Sequence, residues 1–202
     1  MCGRIIQSSG PLRYAIVDGM NVRDSRVHNY PPRWNAAPSQ ELLVIRRNHQ
    51  TGEVSLDPLR WGLIPYWCND PNGGRKPINA KCETVRELPT FRDAYRKRRC
   101  IVPVDGFFEW RAIKGQKAKQ PYAIAMKDGA PFGIAGIWEN WKEPASGAPS
   151  QELLVIRRNH RTGEVSLDPL RWHFRCGVTI SDRCVGGSSR AADRYDMPLS
   201  MA

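Results

Sequence analysis

The strongest constraint on the fold is a series of short β-type segments, separated by turn signals, from about residue 35 to residue 140. The segments 41–47 (ELLVIRR) and 53–61 (EVSLDPLRW) flank the turn sequence 49–52 (HQTG), which predicts a hairpin. A further turn is expected at Asp105-Gly106, between CIVPV and FFEWR. Short strands with brief connections favour antiparallel pairing. The sequence therefore predicts an α+β domain that is mainly β, with few helices.

One helix is expected in the segment 88–99, LPTFRDAYRKRR. Pro89 lies near its start, and its last turn is basic, which is favourable against the helix dipole. The basic run at its end fits a solvated helix terminus as well as a contact to a polyanion.

A near-perfect duplication interrupts the pattern. Residues 37–61 recur as residues 148–172 with one change, Gln50 to Arg161. Structural repeats usually stack several divergent units, so two copies this alike indicate a recent duplication or a faulty gene assembly. The second copy cannot occupy the place of the first. We therefore divide the chain into a core domain (1–140), the copy (148–172) and a divergent tail (173–202) that we expect to be poorly packed.

The charge balance points to a polyanionic partner. The chain of 202 residues has 31 basic and 20 acidic side chains, a net charge of +11. Such an excess attracts nucleic acid over long range, although a basic protein need not bind it. No apolar run approaches the ~20 residues that span a bilayer, and the first twenty residues lack a secretory core, so we expect a cytoplasmic protein. The cysteines and histidines show no zinc-binding spacing, so neither a metal nor a cofactor is expected.

The amino terminus offers a distinct chemistry. Removal of Met1 would leave Cys2 with an α-amine and a thiol on adjacent carbons. With an aldehyde, the amine forms a Schiff base and the thiol then closes a five-membered thiazolidine ring, an intramolecular step with a large entropic advantage. Two other readings remain at this point: an ordinary terminal residue, and the nucleophile of an amidotransferase.

Seven motifs decide between these readings. In chain order they are MCGR, RWNAAP (33–38), RWGLIPYW (60–67), INAKCET (78–84), RRCIVPVDGFFEW (98–110), QPYAI (120–124) and AGIWE (135–139). Their order and spacing closely resemble the SRAP family, whose members handle abasic sites in single-stranded DNA during the SOS and DNA damage responses. The resemblance covers residues 1–140, and it implies a barrel-like, two-sheet core. No glutamine-site motif of an amidotransferase follows.

The resemblance implies a role for three residues. Cys2 matches the nucleophile that crosslinks to DNA. Asn79 matches an asparagine that orients the reacting sugar beside the terminal amine. Glu109 matches the active-site carboxylate, and its aromatic neighbours Phe108 and Trp110 would desolvate it in part and suit it to proton exchange. The resemblance also implies a peptidase-like removal of Met1 and lyase-like chemistry.

Three further residues are candidates for contacts to DNA. Arg4 lies next to the nucleophile and is placed to pair with a phosphate. Trp67 is a candidate for stacking on a base, whereas core packing is favoured for Trp61. Lys81 stands where the family has arginine, so it keeps the positive charge but loses the bidentate hydrogen bonding of a guanidinium group to phosphate. The partner implied is single-stranded DNA with abasic sites, bound by a monomer and without a membrane.

The resemblance fails near the carboxyl terminus. The family continues to a His-Asp-Arg-Met-Pro motif, whose histidine assists opening of the abasic sugar. The nearest fragment here, residues 195–198 (YDMP), has Tyr195 in the histidine's place and lacks the arginine. Such a loss would slow capture of the aldehyde by about 100- to 10,000-fold. The alternatives are therefore a noncatalytic binder of single-stranded DNA or an inactive product.

Overall fold

Ten strands and two short helices form the part of the chain that the structure describes, which is residues 3–15, 29–48, 50–69 and 76–157 of a computed structural model. The strands are β1 (Ile5–Gln7), β2 (Arg33–Ala36), β3 (Glu41–Arg47), β4 (Val54–Trp61), β5 (Asn79–Lys81), β6 (Arg99–Val104), β7 (Gly106–Ala112), β8 (Lys119–Ala125), β9 (Phe132–Lys142) and β10 (Pro149–Arg157). The helices are α1 (Pro11–Ala15) and α2 (Arg92–Lys97). No helix among these residues is both long and apolar enough to cross a membrane.

Five of the strands close into a barrel. Their order is β4-β3-β6-β9-β10, and β10 returns to β4 with Glu152 opposite Arg60 and Leu153 opposite Trp61. β5 pairs in parallel with the end of β10, on the same edge that β4 pairs with earlier in the strand. The expected mainly β, α+β fold with a barrel-like core is confirmed, and closure leaves most barrel strands without an open edge.

Alternation along the strands divides the barrel residues into an inner and an outer set. The inner set forms one cluster, which we call the lumen cluster: Leu42, Val44, Leu59, Trp61, Cys100, Val102, Val104, Leu153 and Val155, together with Ile5 and Ala36. Outward-facing residues on one side pack with α2, and those on the other side pack with Tyr14 of α1. Burial raises the pKa of the Cys100 thiol, which is therefore an uncharged, apolar group in the lumen.

A second sheet, of order β2-β1-β7-β8, covers one end of this barrel. Ile5 of β1 and Ala36 of β2 belong to the lumen cluster, and Phe107 of β7 packs against it. The ring of Phe107 meets that of Phe132, at the start of β9, edge to face at 6.3 Å. The two sheets therefore share one continuous core.

The sequence predicts the β3–β4 hairpin correctly. Its turn is closed by hydrogen bonds from Asn48 N–H to Glu53 O and from Gly52 N–H to Asn48 O, both 2.8 Å. Gly52 has a φ of +74°, which favours glycine. The expected helix is shorter than its motif, because α2 begins at Arg92. Within its basic end, Arg98 forms an ion pair with Glu139 at 2.7 Å, so that this arginine stabilises the fold.

The beginning of the duplicated segment supplies the last strand of the barrel. β10 (Pro149–Arg157) has the same sequence as residues 38–46, which include most of β3. It does not take the place of β3; it lies on the other side of β4, parallel to β4 and antiparallel to β9. Equivalent residues face the same way, because Leu42 and Leu153 both point into the lumen and Leu43 and Leu154 both point outward. Residues 158–172 of the copy lie outside the described residues.

Candidate active site

The amino-terminal strand leads directly to the candidate carboxylate. β1 pairs with β7 in antiparallel register, with Ile5 opposite Phe107 and Ile6 opposite Gly106. The pairing continues toward the terminus, since the N–H of Phe108 donates to the carbonyl of Arg4 at 3.0 Å. The same register brings Gly3 opposite Glu109. The residue that precedes Gly3 is Cys2, which itself lies outside the described residues.

Glu109 lies on a central strand of the second sheet. β7 is flanked by β1 and β8, and Glu109 is paired with Tyr122 of β8. Alternation places its side chain on the face that Phe107 presents to the lumen cluster, where it is half-buried. Its sequence neighbours Phe108 and Trp110 project from the opposite face of the sheet, so the expectation that they desolvate the carboxylate is wrong.

Asn79 approaches the same cluster from the barrel side. It is the first residue of β5 and pairs with Val155 of β10, whose side chain belongs to the lumen cluster. Residues that pair directly project from the same face of a sheet, so Asn79 shares the face of Val155. Its side-chain oxygen is buried. The structure thus directs Glu109 and Asn79 toward one core from two different sheets.

Lys81 and Arg4 occupy less enclosed positions. Lys81 is exposed at the end of β5, two residues after Asn79 and on the same face. Arg4 is half-buried, and alternation places it on the opposite face of the second sheet from Glu109. There its Nη1 donates to Oδ1 of Asn35 at 3.5 Å, across the irregular pairing of β1 with β2.

Trp67 lies in a turn that the barrel holds in place. The Cys68 N–H donates to Pro65 O at 2.9 Å, which closes the turn, and the Trp141 indole N–H donates to the Cys68 carbonyl at 2.7 Å. The side chain of Trp67 is 56% exposed. Trp61 is fully buried in the lumen cluster, with its indole N–H bonded to Ile78 O, so the preference for core packing is confirmed. An exposed flat ring on an anchored turn suits stacking on a base.

Two further exposed tryptophans are not among the DNA contacts that the sequence predicts. Trp34 of β2 is 69% exposed, and Trp110, next to Glu109 on β7, is also exposed. Their motifs, RWNAAP and FFEW, were recognised as family signatures. A motif does not reveal which aromatic side chain faces solvent. This depends on the face of the strand from which each residue projects, and an extra residue in β2 changes that alternation.

An open cavity of about 570 Å³ lies elsewhere, beside β3, β4 and β10. Its lining residues come from the starts of the two copies and from β4, namely Ser39, Glu41, Pro58, Arg60, Pro149, Ser150 and Gln151. None of the candidate residues lines it. Within the described ranges, no three His, Cys, Asp or Glu side chains are grouped as metal ligands. The fragment at Tyr195 lies outside those ranges.

The fold and the site define a class of protein: a small barrel with a second sheet, in which β1 runs beside a strand that carries a half-buried carboxylate. The family model described as SOS response associated peptidase (SRAP) matches residues 1–158. The chain belongs to this family.

Several relatives are named abasic site processing proteins. YoqW of Bacillus subtilis is 43% identical over 127 residues, covering 63% of this chain and 55% of the relative. YedK of Escherichia coli is 32% identical over 139 residues, covering 68% and 59%. HMCES of Xenopus tropicalis is 29% identical over 163 residues, covering 67% and 48%. The chain spans about half the length of the relatives it matches.

Solved structures give the same fold. A protein from Bacteroides thetaiotaomicron superposes with a TM-score of 0.66 at 26% identity, covering 77% of this chain and 67% of the other. A phage-related protein from Bordetella bronchiseptica gives 0.60 at 30% identity, covering 78% and 69%.

Proposed function

We propose that this protein processes abasic sites in single-stranded DNA by covalent capture through Cys2. The observation that carries the proposal is the register of β1 on β7, which, when continued, brings Gly3, the residue after Cys2, opposite Glu109. The names of the relatives and the net charge of +11 support DNA as the partner.

The proposed chemistry has two steps. The neutral α-amine of Cys2, free of Met1, attacks the aldehyde carbon of the opened sugar, and loss of one water gives an imine. The Cys2 thiol then adds across the C=N bond, so that sulfur joins carbon and the proton passes to nitrogen, which closes the thiazolidine. Glu109 accepts a proton from the ammonium before attack and returns it as water leaves. Asn79 orients the sugar, while Arg4, Trp67 and Lys81 hold the flanking strand.

The test is incubation with a labelled single-stranded oligonucleotide that contains one abasic site, followed by denaturing electrophoresis. We expect a shifted band without any reductant, and none with the undamaged oligonucleotide. Cys2→Ala keeps a terminal amine and loses the thiol, so its band should require borohydride trapping. Glu109→Gln should slow capture by about 100- to 10,000-fold. Mass spectrometry of the purified protein checks the removal of Met1.

The alternative is a noncatalytic binder of single-stranded DNA, favoured by the exposed Trp34 and Trp67 and by the loss of the histidine motif. It predicts salt-sensitive binding with no covalent band, even when Met1 is absent. That outcome would overturn covalent capture.

A further inference from the structure

Strand β1 is too short to fix its own position. It has three residues, its pairing with β2 is irregular, and its pairing with β7 comprises two residue pairs. A slip of one residue reverses the face of every side chain in a strand, and it would also move Gly3 away from Glu109. Something beyond the backbone ladder must therefore hold the register.

The side chain of Gln7 holds one end of β1 inside the barrel wall. Continuing the register of β3 and β6 brings Leu43 opposite Pro103, where proline has no N–H to donate. The buried amide of Gln7 fills this gap. Its Nε2 donates to Leu43 O at 2.8 Å and to Pro103 O at 2.6 Å, and its Oε1 accepts from Leu43 N–H at 2.9 Å.

Asp105 holds the residues that follow. Its Oδ2 accepts hydrogen bonds from Ser8 N–H at 2.7 Å, Ser9 N–H at 2.8 Å and Tyr14 O–H at 2.6 Å, and its Oδ1 accepts from Ser9 Oγ at 2.5 Å. Burial raises the pKa of Asp105, but the hydrogen bonds from Ser9, Tyr14 and Ser8 together outweigh it and lower the pKa below its usual range. An ionised acceptor on the β6–β7 turn therefore anchors the chain just past β1.

We infer that Gln7 and Asp105 are positioning residues, which fix the register of β1 and thereby hold Gly3, the residue after the proposed nucleophile, opposite Glu109. Neither residue lies at the proposed site of reaction; both act through the strand that carries the terminus. The inference rests on the proposed function for its effect on rate, and on the structure alone for its effect on register.

The experiment compares Gln7→Met and Asp105→Asn with Phe91→Leu, a core change in the cluster beside α2. Gln7→Met keeps the length of the side chain and removes all three hydrogen bonds. Asp105→Asn is milder, because it keeps one oxygen and replaces the other acceptor by a donor. Two quantities are measured on the full chain. The first is the rate of hydrogen–deuterium exchange at the Phe108 amide, which donates to Arg4 O. The second is the maximal rate of crosslinking at saturating abasic oligonucleotide.

We expect both variants to exchange the Phe108 amide faster than wild type and to lose roughly tenfold or more in maximal rate. The concentration of oligonucleotide at half-saturation should change by less than about threefold, since a displaced terminus affects the reacting geometry more than binding. The inference is overturned if Phe108 exchange matches that of Phe91→Leu, or if the rate falls no further than in that control. If wild type forms no crosslink, the proposed function fails, and Phe108 exchange alone decides the register.

Discussion

At the residue scale, Glu152 of β10 is a carboxylate buried in the wall of the barrel, with 1% of its surface exposed. Its Oε1 accepts a hydrogen bond from Ser150 at 2.6 Å, and its Oε2 has no hydrogen-bond partner among the described residues. The residue opposite on β9 is Glu139, a second buried carboxylate, which Arg98 neutralises. The equivalent of Glu152 in the first copy is Glu41, which is exposed. The same local sequence thus leaves one glutamate, Glu41, in solvent and buries the other, Glu152.

We predict that Glu152→Gln stabilises the protein at neutral pH. Burial raises the pKa of Glu152, and Ser150, Arg60 and Lys76 offset this only in part. The folded state therefore holds the proton more tightly than the unfolded chain, so stability falls as pH rises from the unfolded pKa of about 4.3 through the raised folded value. The substitution should add about 1 kcal/mol to the free energy of unfolding at pH 7, and nothing below about pH 4. Urea unfolding across pH measures this.

Glu41→Gln is the matched control, because it makes the same change in the same local sequence on an exposed side chain. At pH 7 its free energy of unfolding should match that of wild type. A gain at pH 7 that persists unchanged at pH 4 would show that the charge of Glu152 is not its cause.

At the element scale, β9 runs between β6 and β10 through a close contact at Gly136. This residue lies opposite Cys100 on one side and Val155 on the other. A Cβ atom built there would lie 2.9 Å from Cys100 Sγ and 3.2 Å from Leu154 O. The absence of a side chain therefore allows the three strands to pack at this point.

We predict that Gly136→Ala costs about 1–3 kcal/mol of stability, because the added methyl group overpacks the lumen. Cys100→Ala removes the nearer obstacle, so the double variant should be more stable than the sum of the two single effects implies. Chemical denaturation of the four proteins measures the coupling. Strict additivity would mean that the sulfur does not limit the space at Gly136.

Sequence patterns predict the longer elements because their information is local. The β3–β4 hairpin follows from alternation and turn residues, and it forms. At Asp105-Gly106 the chain bends but closes no hairpin, because β6 and β7 lie in different sheets. β1 and β5, with three residues each, are too short to show a period. Gln7 and Trp141 escape sequence reasoning because their hydrogen bonds join residues far apart in the chain. The motifs identify Asn79 and Glu109, whereas only the topology brings them to one core.

At the scale of the whole molecule, β10 is the strand that closes the barrel. It pairs with β4, β5 and β9, and it supplies Leu153 and Val155 to the lumen cluster. The family match ends at residue 158, next to the end of β10 at Arg157. The copy thus completes the barrel wall, although its sequence repeats that of residues 38–46, which include most of β3.

We predict that a chain ending at residue 158 melts cooperatively, whereas one ending at residue 148 does not. The shorter chain loses β10, which exposes the lumen cluster and removes the β-strand partner of β5. Near-UV circular dichroism during heating follows the packing of the buried Trp61 and of Trp138. Equal melting transitions for the two chains would show that β10 is dispensable.

β3 and β10 share most of one sequence, but they differ in their neighbours and in the direction of the strands beside them. β3 is antiparallel to both of its neighbours, whereas β10 is parallel to β4. In both strands an apolar side chain points into the lumen at every second residue. Alternation of apolar residues is therefore what a strand needs in order to occupy the barrel wall, whatever its neighbours. One segment of sequence is therefore able to occupy two different positions in the wall of the same barrel.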